Sequence, residues 1–253
     1  MLEIGRKQCQ GYACIVSRTA AAAGRNTRET RRGVNMRKLT VVLSAVLVAL
    51  PVMTGATPST LVWIPSTDIQ PKGVFHLGYD TYTSPGSDAT NATVYGVTYG
   101  VTDQIEVGVD YFSGTNRPWF FNAKIRVLEE NESNPAVALG IYNVSPKSDV
   151  TQNLAYALVS KTFAGTRFHA GYATGKKSVL GRDENMVLLG IDRQLDDKWW
   201  VAADYQGGKS FMGALSVGAA YKFADNASVL VGYDFYNDSS IKDTVTVQID
   251  IDL

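Results

Sequence analysis

Four aspartates recur in one local pattern, a small residue followed by an apolar one and then the acid. They are Gly78-Tyr79-Asp80, Gly108-Val109-Asp110, Ala202-Ala203-Asp204 and Gly232-Tyr233-Asp234. Carboxylates set at one height around a bore bias which ions pass. Glu106 adds to the acidic set, and the basic side chains Lys124, Arg126 and Arg167, with His169, fall on other segments. The chemistry within reach of these residues is a transverse field, acidic on one wall and basic on the other. The competing explanation is local, because aspartate favours strand ends and turns. Catalysis is poorly provided for. A serine nucleophile needs a base beside it, and His76 and His169 are the two histidines of the chain, with no nucleophile-elbow pattern around any serine. No metal-ligand spacing, phosphate-binding glycine loop or cofactor motif is present. The sequence therefore predicts neither enzyme nor cofactor, with a lipid hydrolase as the catalytic alternative that loss of activity in His169→Ala would reveal.

The elements that must carry these side chains are strands. From about residue 74 to the end, apolar residues alternate with small or polar ones, as in Ile105-Glu106-Val107-Gly108-Val109-Asp110-Tyr111 and in Val245 to Leu253. Period two marks a half-buried strand. Twelve such segments are expected, near 73–82, 92–102, 104–113, 118–128, 135–144, 153–163, 166–174, 185–195, 198–206, 211–223, 227–236 and 243–253. Most have a length of about 10 residues, which a tilted strand needs to cross a hydrocarbon layer. Links after even strands are short, such as Asp103, Ala164-Gly165 and Asp196-Asp197, whereas those after odd strands are longer and polar, such as 83–91 and 175–184. The predicted fold is an all-β, closed antiparallel transmembrane barrel with up-and-down order.

One parity of most strands is aromatic or branched, for example Trp119-Phe121-Ala123-Ile125-Val127 and Val229-Val231-Tyr233-Phe235. A small soluble barrel puts its bulky side chains inside. Here the many apolar faces have no helices to cover them, so lipid is the expected cover. Tyr79, Tyr111, Trp119, Tyr205, Tyr233 and Phe235 fall toward the longer-loop ends, and Trp199, Tyr221 and Phe223 toward the short-turn ends, as girdles at two interfaces would. The face of strand six stays open: Lys161 either points inward or snorkels to the interface.

The N-terminal region reads as an address. Met36-Arg37-Lys38, the apolar run 39–52 and the small residues Thr54-Gly55-Ala56 make a secretory signal peptide over 36–56. Residues 1–35 are expected to be upstream sequence from a mis-assigned start, or else part of an unusually long basic leader. Residues 1–56 hold nine of the 24 basic and two of the 24 acidic residues, so 15 basic and 22 acidic residues remain beyond them. That balance offers no footprint for nucleic acid. Both cysteines, Cys9 and Cys14, lie in the removed part.

With leader, amphipathic strands, loop asymmetry and a terminal alternating strand, residues 73–253 resemble bacterial outer-membrane β-barrel proteins of the porin-like kind. The resemblance implies export to the outer membrane, contact with its lipid, folding by barrel-assembly machinery, and passive diffusion of ions or small solutes. In one respect the chain departs from the pattern: it ends in Leu253, where such proteins usually carry an aromatic that helps assembly. A filled barrel with a structural, adhesive or assembly role is the alternative. The inward glycines (Gly78, Gly96, Gly100, Gly108, Gly190, Gly218 and Gly232 among them) either let strands coil or keep a bore open. Residues 57–72, with Pro58-Ser59-Thr60 and Pro65-Ser66-Thr67 around Leu61-Val62-Trp63-Ile64, are expected to be a periplasmic lead-in, a plug being the other possibility. Hairpin register suggests Glu106 opposite Arg126.

Overall fold

A computed structural model describes residues 59–86 and 92–253; the expected leader and the stretch before it lie outside the described residues. Twelve strands follow in order: β1 (Phe75–Thr83), β2 (Ala92–Thr102), β3 (Ile105–Phe112), β4 (Trp119–Leu128), β5 (Ala136–Val144), β6 (Leu154–Phe163), β7 (Thr166–Thr174), β8 (Asn185–Gln194), β9 (Trp199–Gln206), β10 (Ala214–Ala224), β11 (Ala227–Tyr236) and β12 (Thr244–Asp252). Each pairs antiparallel with its chain neighbours, and β12 returns to β1 to close the barrel. The small differences from the expected bounds have local causes. β6 begins at Leu154 because Asn153 sits at φ 47°, and β10 begins late because Gly213 N–H turns back to the Ser210 carbonyl at 3.0 Å.

Short turns are built by residues that accept their backbone. At the β6–β7 turn, Ala164 and Gly165 both have positive φ, as a two-residue turn matched to strand twist requires. Between β8 and β9, Asp196 Oδ1 accepts the Lys198 and Trp199 N–H groups at 2.8 Å each. Those two donors hold its carboxyl below the usual range.

The outward face is apolar. On β1, Phe75, Leu77 and Tyr79 are exposed, and the same parity continues through Val107, Phe121, Leu189, Val217 and Val231. Among the described residues the one helix is the single turn α1 (Lys177–Leu180) in the β7–β8 loop, so no second layer covers this belt. A belt of this extent is stable only against lipid. Val231, half exposed in the middle of β11, tests the orientation. Val231→Arg should lower the stability of the lipid-embedded barrel by about 2–4 kcal/mol, measured by urea unfolding in vesicles; no loss would mean that this face does not meet acyl chains.

Several outward rings meet across neighbouring strands. Tyr79, Tyr95, Tyr111 and Trp119 are partners in register across β1 to β4, with centroids 5.3, 6.4 and 5.0 Å apart. Tyr233 and Phe235 stack at 4.6 Å, and Trp199 meets Tyr221 at 4.8 Å near the short turns, where Phe223 is exposed. Tyr205, Tyr221 and Tyr233 are half-buried. Lys161 has the outward parity, opposite to buried Ser160, and its Nζ donates to the Asn131, Glu132 and Asn134 carbonyls of the β4–β5 turn. It snorkels.

Inside, two expectations change. The inward parity of β6 and β8 is not small or charged throughout: Leu154, Leu158, Met186 and Leu188 are fully buried, and Leu180 of α1 packs with them. Residues 59–72 are not an extended periplasmic lead-in. They enter the barrel, where Leu61, Ile64, Ser66, Thr67 and Gln70 have no exposure. The physical reason is that Leu61 to Ile64 are apolar and find a matching seat on the inner wall.

Candidate functional site

Residues 59–66 form a small hairpin within the lumen. Leu61 N–H donates to the Ile64 carbonyl at 2.8 Å, Ser66 N–H to the Ser59 carbonyl at 3.0 Å, and Thr60 bridges Pro65. Ser59-Thr60 and Pro65-Ser66 are thus its legs and Val62-Trp63 its tip. At the tip, both backbone N–H groups, of Val62 and Trp63, end on Asp204 Oδ2 at 2.8 and 2.9 Å. Trp63 Nε1–H donates to the Met212 carbonyl and Gln248 Nε2 to the Val62 carbonyl, each at 2.8 Å. The tip therefore lies toward the long-loop end, where Trp63 also meets Tyr82 and Tyr236 edge to face.

The inner glycines explain the seat. A Cβ on Gly190 would stand 2.6 Å from Leu61, and one on Gly218 or Gly232 would stand 3.0 or 2.9 Å from Val62. At Gly100 it would stand 2.1 Å from the Pro71 carbonyl oxygen. These glycines make room for the hairpin and its return strand, whereas Gly78, Gly96 and Gly108 line what remains of the lumen. Neither strand coiling nor an open bore alone accounts for them.

Beside the hairpin lies a cavity of about 190 Å³ whose wall runs from β12 through β1 to β6. Ser59, Thr60, Trp63 and Pro65 line it on one side, and Asp80, Asp110, Glu106, Asp250, Lys124 and His76 are among the residues on the other. The predicted acidic arc is thereby divided. Asp80 and Asp110 face the cavity, and Asp110 accepts from Asn122 Nδ2 at 2.7 Å. Asp204 and Asp234 are sealed, with 1% and 0% exposure, the first under the hairpin tip and the second accepting from Thr244.

The basic wall does not stand apart as a counter-field, because each member has a carboxylate or carbonyl of its own. Glu106 is opposite Lys124 in register, not Arg126, and the pair closes at 3.1 Å with both side chains buried. β3 and β4 pair without a bulge, and the connection between Phe112 and Trp119 sets a register two residues away from the expected pairing. Glu106 Oε2 also accepts Ser59 Oγ–H at 3.0 Å and Gln70 N–H at 2.7 Å, while Lys124 Nζ donates to the Ser59 and Ser66 carbonyls. Arg126 turns to the Asp103 carbonyl and Glu129 at the short-turn rim. Arg167 binds Asp192 at 3.0 Å and Asp68 at 2.6 Å, and His169 Nε2 is 2.6 Å from the same Asp192 oxygen.

Asp192 and Asp250 were not among the expected residues. Gly190-Ile191-Asp192 has the same small-apolar-acid form as the four triplets, but on a strand running the other way. Asp250 pairs with His76, whose Nε2 lies 3.0 Å from it and whose Nδ1 lies 2.9 Å from Asp252. Among the described residues no three His, Cys, Asp or Glu side chains are grouped to hold a metal ion.

No protein-family model and no curated protein sequence matches the chain. Solved structures do. The barrel is similar to the KdgM porin, at 10% sequence identity and a TM-score of 0.53 over 70% of this chain and 98% of that one. The KdgM porin in complex with disordered oligogalacturonate is similar at 9% identity and a TM-score of 0.52, with the same coverage. The NanC porin aligns at 11% identity with a TM-score of 0.45 over 70% of this chain and 98% of its own. Twelve antiparallel strands, an apolar exterior and a polar remnant of lumen give this chain the closed-barrel fold of bacterial outer-membrane porins.

Proposed function

We propose that the protein is a porin-like channel of a bacterial outer membrane, exported by the secretory route, that passes small hydrophilic solutes and prefers cations. The observation that carries this is the charge of the residual lumen: Asp80, Asp110, Glu106 and Asp250 line one cavity with Lys124 and His76 as its basic groups. Field lines concentrate in a narrow bore with low-dielectric walls, so a small excess of carboxylates is enough to sort ions. Oligogalacturonate, present in one KdgM structure, is itself a chain of carboxylates, and a lumen of this sign repels it.

Planar-bilayer recording in a KCl gradient tests the proposal. Asp80→Asn with Asp110→Asn should move the reversal potential from the cation side toward zero. An unchanged potential would remove ion selection from these residues, and silence of the intact protein under all conditions would remove the channel. A filled, structural barrel is the second reading, favoured by the apolar packing of Leu154, Leu158, Leu180, Met186 and Leu188 inside the wall. Graded sugar uptake in liposome swelling would decide for the channel, and none would decide for the filled barrel.

A further inference from the structure

The hairpin is fitted closely on one flank and borders the cavity on the other. Leu61 and Val62 press on glycines of β8, β10 and β11, but Ser59, Thr60, Trp63 and Pro65 border the cavity. Its internal hydrogen bonds are its own, so it can move as one body. Its attachments at the tip are polar bonds that water can replace: two N–H groups on Asp204, one indole N–H on Met212 and one carbonyl on Gln248. Its base is held by Glu106 and Lys124, by Thr67 on Ser160 at 2.6 Å, and by Asp68 on Arg167. The chain leaves the lumen through Gly73 at φ +84°, a conformation that lets the strand turn sharply before β1.

From this asymmetry we propose that residues 59–70 are a retractable gate of the channel, latched at its tip by the Asp204 carboxylate and closing the lumen beside the Glu106–Lys124 pair. The proposal rests on the channel reading for its purpose but not for its motion. One carboxyl oxygen accepting two backbone N–H groups is a strong local tie, since its loss leaves two donors without their partner. Removing it leaves the seat's apolar contacts, which retain the closed state but at a smaller margin. Opening then exposes Val62, which is 1% exposed when the gate is shut.

The test reads motion and conduction separately. In the full chain with Cys9→Ser and Cys14→Ser, Val62→Cys supplies a single thiol at the tip, and its rate of reaction with a hydrophilic maleimide is followed in lipid vesicles. Adding Asp204→Ala should accelerate labelling about tenfold or more, the effect of leaving two backbone donors of the closed state unpaired. Single-channel open probability of Asp204→Ala should rise in parallel. As a second variant, Val62→Cys with Gly232→Cys should form a disulfide under oxidation, because the Val62 Cγ1 lies 2.9 Å from the Cβ position of residue 232. That form should be silent until reduced. Heat-modifiable migration in SDS gels confirms that each variant is folded. Equal labelling rates with and without Asp204, or an oxidised pair that conducts as the intact protein does, would overturn the gate. Faster labelling with no conduction in any form would leave the gate and overturn the channel.

Discussion

Replacing Lys124 by methionine is expected to destabilise the barrel by about 3–5 kcal/mol, the cost of leaving one half of a buried ion pair without its partner. Lys124 and Glu106 face each other from β4 and β3 at 3.1 Å, with side chains 3% and 7% exposed. The ammonium also holds the Ser59 and Ser66 carbonyls, so its loss strands an acid and two acceptors at once. Urea unfolding of the vesicle-embedded protein, followed by tryptophan fluorescence, measures the loss. Lys124→Met combined with Glu106→Gln should recover most of it, because a neutral pair no longer carries the desolvation cost of a lone charge. Added salt should change little, since the pair is shielded from the bulk ions that screen exposed charges. A single substitution costing under about 1 kcal/mol would show the pair to be hydrated like an exposed one.

Phe120→Ala is the second large effect, expected at about 3–5 kcal/mol. Phe120 points into the barrel with 1% exposure and packs edge to face on Phe112 at 4.8 Å. Phe121, the next residue, points out and is nearly half exposed. Phe121→Leu should stay within about 0.5 kcal/mol, because it trades one apolar surface for another where no void can form. Two neighbouring phenylalanines thus report on opposite sides of one wall, and the same unfolding assay separates them. Similar costs at both positions would contradict the assignment of faces.

The twelve strands were legible because a side chain's face follows from its parity, and the belt Phe75-Leu77-Tyr79 or Trp199-Val201-Ala203 shows that parity without structure. Closure followed from an even count and short turns. What fills the barrel was harder to read. Leu154, Leu158, Met186 and Leu188 sit in plain view on one parity, but alternation says only that a face differs from its opposite, not which side holds lipid. In β6 the outward partners are Ala155, Ala157 and Val159, so the contrast between faces is weak there.

The N-terminal segment was misplaced for a different reason. Its contacts are with residues far along the chain, Val62 with Asp204 and Gln248, and no local period announces a seat built from Gly190, Gly218 and Gly232. A usable signal was nonetheless present: two identical Pro-Ser-Thr triplets bracket four apolar residues in the sequence, and Ser59-Thr60 and Pro65-Ser66 within them are the legs of the hairpin. The four acidic triplets lie near the ends of outward-running strands, whereas Asp192 closes the same pattern on β8, which runs the other way. Glu106 and Lys124 are both lumen residues by parity, but which of them face each other is set by the β3–β4 loop, whose closure local alternation does not fix.

The seam between β1 and β12 has a consequence for manufacture. Phe75 and Leu253 exchange backbone hydrogen bonds at 3.1 and 2.8 Å, so the cylinder cannot be sealed before β12 is made. The anchoring aspartate for Val62 lies 142 residues downstream, and the bond from Gln248 lies further still. The hairpin must therefore wait, its apolar tip uncovered, until those strands are made. Pairings of such long reach form late and slowly, which leaves this stretch as the part of the nascent chain most in need of an escort.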